Sequence, residues 1–164
     1  GLDELEAKPQ LPGLAINLSA SSIYLPDFRS DLQRLLKRRT GTQRLWLEVA
    51  ESGALSHFDA FKALCGDLRG VGCKLGLEHF GRQFSEIGRL HDLGLDYLKV
   101  DGSFVRGLQD NAGNQAFLKG LSTIAHSIGL KVIAEGVTNE ADLRALGPVG
   151  FDGATGPAVH EPGT

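Results

Sequence analysis

Short apolar runs alternate with longer amphipathic stretches along this chain, and each short run ends at a polar residue. Five of the runs have the length and composition of buried strands in a parallel sheet: LAINLS, RLWLEV, KLGLEH, YLKVDG and KVIAEG. Between them, apolar residues recur with the 3.6-residue period of amphipathic helices. Strands that alternate with helices predict parallel pairing through right-handed crossovers.

The pattern predicts six strands, at residues 14–18, 44–49, 74–77, 97–100, 131–135 and 150–154. It predicts helices at residues 27–39, 55–69, 84–93, 112–128 and 140–146. Asp27 and Asn139 are the expected N-caps of the first and last helix. The predicted buried stripe of the fourth helix is Phe117, Leu121, Ile124 and Ile128.

Six such units fit either a doubly wound sheet or most of an eight-fold barrel. No GxGxxG or GxxxxGK motif follows a predicted strand, which weakens the nucleotide-binding doubly wound alternative. Polar residues at the carboxyl ends of the strands favour the barrel, because barrel enzymes build their sites at that end.

Composition narrows the class of protein. The chain has 164 residues with a net charge of −3, which suits one globular domain and gives no reason to expect binding to nucleic-acid polymers or anionic membranes. No apolar run approaches the roughly 20 residues of a membrane span, and no secretory signal is visible. Cys65 and Cys73 lack metal-ligand spacing and are predicted to be reduced thiols.

Candidate chemistry lies at the predicted strand ends. The polar residues there are Asn17, Glu48, Glu78, Lys99, Asp101 and Glu135. Amide and carboxylate oxygens are the ligands that a hard cation such as Mg²⁺ prefers. Several carboxylates that converge need a cation, because they cannot all stay ionised close together without one. A lysine at a strand end can bind a phosphate. The alternative is that each residue simply faces solvent.

His79 is predicted to be a metal ligand, a base or only a hydrogen-bonded neighbour of Glu78. Glu51 is predicted to be either another carboxylate at a strand end or an acidic residue in the first turn of a helix.

Six segments carry a resemblance to a known family, and they occur in that family's order: INLSASS, LWLEVAES, LGLEHFGRQFS, LDYLKVDGSFV, LKVIAEGVTNEADL and GFDGATGPAVHEP. The chain resembles the EAL domain, the bacterial cyclic-di-GMP phosphodiesterase family. The resemblance implies an α/β fold, a modified TIM-type (β/α)8 barrel with one antiparallel strand, of which this chain holds about the last six βα units. Residues 1–164 would then be the C-terminal part of one EAL-type domain, without its first strands and its Glu-Ala-Leu signature. The absence of Met, even at position 1, agrees with a piece of a longer protein.

The departures from the family pattern concern metal binding. Family enzymes hold metal with Asn, Glu and an Asp-Asp pair, assisted by Lys and Glu, and the residues that match are Asn17, Glu48, Lys99 and Glu135. The family's Asp-Asp-Phe-Gly motif begins here with Glu78 and His79, so its second carboxylate is lost. Thr138 and Thr155 replace a further Glu and a Gln. Because two-metal hydrolysis needs both ions about 3.5–4 Å apart, we expect that a paired catalytic site does not form.

The resemblance therefore implies a catalytically inactive cyclic-di-GMP receptor with no required cofactor and no metal ligand. The implied ligand-binding residues are Asn17, Ser19, Glu48, Glu78, Lys99, Asp101, Glu135, Gly136 and Pro157. Within the family the chain most resembles the cytoplasmic domain of LapD-type receptors, inner-membrane proteins whose upstream membrane and output domains control biofilm and adhesion. Homodimerisation is also implied. Two alternatives stay open: an active phosphodiesterase that needs Mg²⁺, and a protein-interaction scaffold without a ligand.

Overall fold

The strands form one parallel sheet. A computed structural model describes residues 14–23, 25–37 and 45–159. Its six strands are adjacent in the order in which they occur in the chain: β1 Leu14–Leu18, β2 Leu45–Ala50, β3 Lys74–Phe80, β4 Tyr97–Val100, β5 Lys131–Ala134 and β6 Gly153–Ala154. A strand order without reversal is that of a barrel, since a doubly wound sheet reverses its order at a switch point. The predicted parallel α/β fold is confirmed.

Within the described residues, six α-helices connect these strands. They are α1 Ala20–Ile23, α2 Pro26–Lys37, α3 Glu51–Ser56, α4 Phe58–Leu68, α5 Ala112–Ser127 and α6 Glu140–Ala145. The described part of the chain also contains three 3₁₀ helices, at Phe84–Leu90, Gly102–Phe104 and Leu108–Asp110. No helix among the described residues is long and apolar enough to cross a membrane.

Two predicted helices and one predicted N-cap need correction. The single helix predicted at residues 55–69 is two helices that meet at His57, and the helix predicted at residues 84–93 is a 3₁₀ helix. Asp27 lies inside the first turn of α2, which begins at Pro26, and is therefore not its N-cap. Proline is favoured in the first helical turn because its missing N–H has no intrahelical partner there.

The described residues form two compact units, and the first consists of those in the ranges 14–77 and 92–95. Within its described part, β1 pairs with β2 in parallel. The core includes Leu47 and Val49 from β2 and Phe61 and Leu64 from α4. Glu51 directly follows β2 and begins α3, so its position fits both predicted alternatives, and it is only 4% exposed. The thiol of Cys65 is buried, which raises its pKa to about 12.

The second unit consists of the described residues 78–91 and 96–159, and in it β4 pairs with β5 and β5 with β6 in parallel. Asn139 caps α6 as predicted, since its side-chain oxygen accepts a hydrogen bond from the Asp142 N–H at 2.8 Å. The predicted stripe of α5 is wrong in part. Ile124 is 39% exposed, and the buried residues of the helix are Leu118, Leu121, Ser122 and Ala125.

Candidate functional site

The ends of β3, β4 and β5 bring four polar residues of the second unit together. Asp101 directly follows β4 and Glu135 directly follows β5. The Asp101 N–H donates to the Phe80 carbonyl at 2.9 Å, and the Glu135 N–H donates to the Val100 carbonyl at 3.0 Å. These backbone hydrogen bonds fix the strand ends relative to each other. We call the four residues Glu78, His79, Asp101 and Glu135 the His79 cluster.

The imidazole ring of His79 lies between two carboxylates of this cluster. Its Nδ1 atom is 3.2 Å from Asp101 Oδ1 and 3.1 Å from Glu135 Oε2. The backbone N–H of His79 donates to the other oxygen of Glu135, Oε1, at 2.7 Å. His79 therefore contacts both oxygens of Glu135 and one of Asp101. Of the three predicted roles of His79, the structure shows the hydrogen-bonded neighbour, although its hydrogen-bond partners are Asp101 and Glu135 rather than Glu78.

The backbone of His79 has an uncommon conformation, with a φ of 56°. A left-handed backbone costs an ordinary residue about 1–3 kcal/mol, so surrounding contacts must maintain it. The contacts with Asp101 and Glu135 supply that constraint. Gly136, next to Glu135, also has a positive φ, of 66°, which glycine adopts without steric cost. The two residues with a positive φ, His79 and Gly136, therefore both lie beside the side chain of Glu135.

Electrostatics in the cluster shift three pKa values. The hydroxyl and N–H of Ser103 donate to Asp101 and hold the pKa of that carboxyl below its ordinary value. Burial raises the pKa of Glu135, although the N–H and the imidazole of His79 oppose this change. Burial of the ring lowers the pKa of His79, but the carboxylates of Glu135, Asp101 and Glu78 more than offset burial, so this pKa is raised.

Gly136 and Pro157, two other candidates, lie in segments that hydrogen bonds hold together. The Val137 N–H donates to the Thr155 carbonyl at 2.9 Å, and the Ala158 N–H donates to the Val137 carbonyl at 2.9 Å. These bonds place the turn that contains Pro157 next to the turn that contains Gly136. The structure thus gathers all of the predicted second-unit residues around the ends of β3 to β6.

The first-unit candidates lie at the ends of β1 and β2. Asn17 stands directly opposite Glu48 in the strand register. Asn17 is exposed, whereas the side chain of Glu48 is only 2% exposed. Ser19 follows β1, and its hydroxyl oxygen accepts a hydrogen bond from the Ser22 N–H at 3.3 Å. Ser19 therefore caps the short helix α1 in addition to any role in a site.

A shared metal ion does not fit the His79 cluster. Among the described residues, no three His, Cys, Asp or Glu side chains are arranged so that they could hold one ion. Mg²⁺ requires oxygens at about 2.0–2.1 Å in octahedral geometry. The ring nitrogen of His79 already lies within 3.2 Å of both Asp101 and Glu135. An ion that joined these two carboxylates would have to displace the ring.

Sequence reasoning missed Ser103 as a member of the site. The side chain of Asp101 caps the 3₁₀ helix that begins at Gly102, and it accepts hydrogen bonds from both the N–H and the hydroxyl of Ser103. An aspartate two residues before a serine, with glycine between them, is a local signal for such a turn. The Asp-Gly-Ser sequence could therefore have indicated this partner.

Comparison with known proteins connects these residues to one family. The EAL domain family model matches residues 2–162. The cyclic di-GMP phosphodiesterase PdeA of Borreliella burgdorferi is 32% identical over 149 residues, which are 90% of this chain and 22% of PdeA. The chain spans about a fifth of the length of the curated relatives it matches.

Solved structures show the same fold. The FimX EAL domain of Pseudomonas aeruginosa, bound to c-di-GMP, matches with a TM-score of 0.83 at 27% identity over 94% of this chain and 64% of that chain. A Vibrio cholerae LapD structure with S helix, GGDEF and EAL segments, also bound to c-di-GMP, matches with a TM-score of 0.82 at 24% identity over 92% of this chain and 37% of that chain. These matches confirm the predicted part of a TIM-like barrel.

Proposed function

The chain belongs to the EAL domain family, and from this we propose that it is a receptor that binds cyclic-di-GMP without hydrolysing it. The ligand class is supported by the FimX EAL domain, which is bound to c-di-GMP, and by relatives named cyclic di-GMP phosphodiesterases. Those names support the dinucleotide for either a receptor or an enzyme. The preference for a receptor over an enzyme rests on the residues of this chain.

The observation that carries the inactive part of the proposal is the position of the His79 ring. Metal-dependent hydrolysis of a phosphodiester requires ions that activate water and stabilise the leaving oxygen. In this chain an imidazole stands where the family pattern has its second Asp, and its Nδ1 atom lies 3.2 Å from Asp101 and 3.1 Å from Glu135. Replacement of a carboxylate by a ring also removes negative charge that would attract a cation. Ligand binding does not need the ions, because hydrogen bonds and shape hold the dinucleotide.

Binding is assigned above all to Glu135. Its side chain is 15% exposed and is oriented by the N–H of His79, so one carboxylate is held at the end of β5. A fixed carboxylate accepts hydrogen bonds from a guanine edge or from a water that bridges to it. In the second unit, the residues proposed to contact the ligand are Glu78, Lys99, Asp101, Glu135, Gly136 and Pro157. Asn17, Ser19 and Glu48 are proposed from the family pattern.

The wider setting of the receptor is part of the proposal. We assign residues 1–164 to the C-terminal part of one EAL-type domain, in a homodimeric receptor anchored in the bacterial inner membrane. There it would pass the dinucleotide signal to domains that control biofilm and adhesion, as in LapD-type receptors. The likeness to LapD supports the fold, since that match is at 24% identity.

Calorimetry with cyclic-di-GMP tests the function. The complete natural protein is titrated with the dinucleotide in the presence of Mg²⁺, and chromatography then shows whether the ligand is intact. We expect saturable binding with intact ligand. Binding followed by release of linear dinucleotide would establish an enzyme instead. Absence of binding would leave an interaction scaffold.

Replacement of Glu135 by Ala is expected to weaken cyclic-di-GMP binding by more than tenfold, which is about 1.4 kcal/mol. The change removes the oriented carboxylate and leaves the His79 N–H without its 2.7 Å acceptor. Calorimetry of the variant measures the loss. Unchanged affinity would contradict the assignment of this residue.

Two further variants separate the effect of the Glu135 charge on affinity from the effect of its hydrogen bond. Glu135→Gln keeps an oxygen for the His79 N–H and removes only the charge, so its affinity is expected to lie between those of wild type and Glu135→Ala. Glu140→Ala removes the same charge from an exposed position on α6. Its affinity is expected to equal that of wild type. A loss in the Glu140 variant as large as in the Glu135 variant would point to a general charge effect.

A further inference from the structure

The carboxylate oxygens around His79 are already engaged by donors of the protein. In Glu135, Oε1 accepts from the His79 N–H and Oε2 lies 3.1 Å from the ring nitrogen. In Asp101, Oδ1 is 3.2 Å from the same nitrogen, and Oδ2 accepts from both the N–H and the hydroxyl of Ser103. All four oxygens of the two carboxylates therefore have a nitrogen or hydroxyl neighbour.

Asp101 and Glu135 both approach one atom, His79 Nδ1, within 3.2 Å. Two carboxylates that converge on one point repel unless a bound cation or another positive or hydrogen-bonding group lies between them. In this chain one side chain, His79, reaches both acids from the end of β3, and its backbone N–H binds one of them as well. The ring thus satisfies and orients the two carboxylates as a bound ion otherwise would.

We propose that the His79 side chain takes the place of a divalent cation between Asp101 and Glu135, so that it excludes Mg²⁺ and Mn²⁺ and positions Glu135 without metal. His79 is a positioning residue in this scheme. The inference rests on the proposed function for the location of the site. It predicts a property, metal binding, that is measured without nucleotide, so its failure and failure of the proposed function are distinguishable.

The backbone allows a direct test by substitution. The φ of 56° at His79 is unfavourable for most residues, but Asp and Asn tolerate the left-handed region better than others. His79→Asp therefore suits the local backbone, removes the ring and adds a carboxylate beside Glu78, Asp101 and Glu135. His79→Asn has the same shape and removes the ring without adding charge.

Mn²⁺ alone is the probe, titrated into the complete natural protein and followed by calorimetry or by the electron paramagnetic resonance of free Mn²⁺. Wild type is expected to show no saturable site in the cluster. His79→Asp is expected to bind one or more ions at least about tenfold more tightly than wild type, a difference of about 1.4 kcal/mol or more. His79→Asn is expected to bind more weakly than His79→Asp.

His91→Asp is the matched control, because it introduces the same charge at an exposed histidine outside the cluster. It is expected to behave as wild type. Saturable Mn²⁺ binding to wild type that Glu135→Ala abolishes would overturn the proposal, and this result does not depend on how the His79 variants fold. Equal Mn²⁺ binding by folded His79→Asp and His91→Asp, verified by circular dichroism, would also overturn it.

Discussion

Replacement of Asp142 by Ala is expected to lower the free energy of unfolding by about 3 kcal/mol, because three hydrogen bonds to a buried carboxyl group are lost. The side chain of Asp142 on α6 is 1% exposed. Its oxygens accept from the Gly107 N–H at 3.1 Å, the Gln109 N–H at 3.3 Å and the Asn139 side chain at 3.0 Å. No other acceptor takes over these donors when the carboxyl group is removed, because alanine offers none.

Chemical denaturation of the complete natural protein measures this effect. Asp142→Asn is the informative companion, since its amide retains one acceptor oxygen but turns a donor toward the remaining N–H groups. Its stability is expected to lie between those of wild type and Asp142→Ala. Glu140→Ala, on the exposed side of the same helix, is expected to change stability by less than about 0.5 kcal/mol. A change equally small in Asp142→Ala would contradict the role assigned to the carboxyl group.

Asp142 also shows what kind of contact the sequence does not reveal. Its backbone donors lie 33 and 35 residues earlier in the chain, at Gln109 and Gly107. Periodicity and capping rules report neighbours within about one helical turn, so they mark the N-cap Asn139 but not these partners. The turn at Gly107 depends on the tertiary fold.

The strands were predictable because their physical signal is local. A buried parallel strand is a short apolar run, and β1 and β4 have the predicted bounds. The helix faces were less predictable. In α5, Phe117 and Leu118 are adjacent, so two overlapping stripes are possible, and the fold buries the one with the small residues Ser122 and Ala125. The break at His57 interrupts a continuous apolar period and has no strong sequence marker.

In the candidate site, too, some features were predictable from the sequence and others were not. Glu78, Asp101 and Glu135 could be located from the sequence, because parallel strands bring their carboxyl ends to one edge. The contacts of His79 could not be predicted in the same way. They require a left-handed backbone at a non-glycine residue, and although histidine adopts it more often than most residues, the sequence HFG at a strand end does not specify it. The contacts between strands select that conformation.

Replacement of Gly156 by Ala is expected to lower the free energy of unfolding by about 3 kcal/mol and to weaken cyclic-di-GMP binding as well. The φ of Gly156 is +126°, which L-residues rarely adopt, and strain of this kind costs about 1–3 kcal/mol. A Cβ atom there would lie 2.4 Å from the Val137 nitrogen and 2.6 Å from the Val137 oxygen. Backbone atoms must therefore move, and Val137 is two residues from Glu135.

A glycine without such neighbours gives the matched control. Gly120 is exposed in the middle of α5, and a Cβ atom there meets nothing within 4 Å. Gly120→Ala is expected to leave stability unchanged or to raise it by up to about 1 kcal/mol, because alanine favours the helix. Thermal denaturation and calorimetry are measured on both variants. A Gly156→Ala protein with lower stability but full affinity would show that the turn beside Val137 can shift without moving Glu135, and that the carboxylate is held by His79 alone.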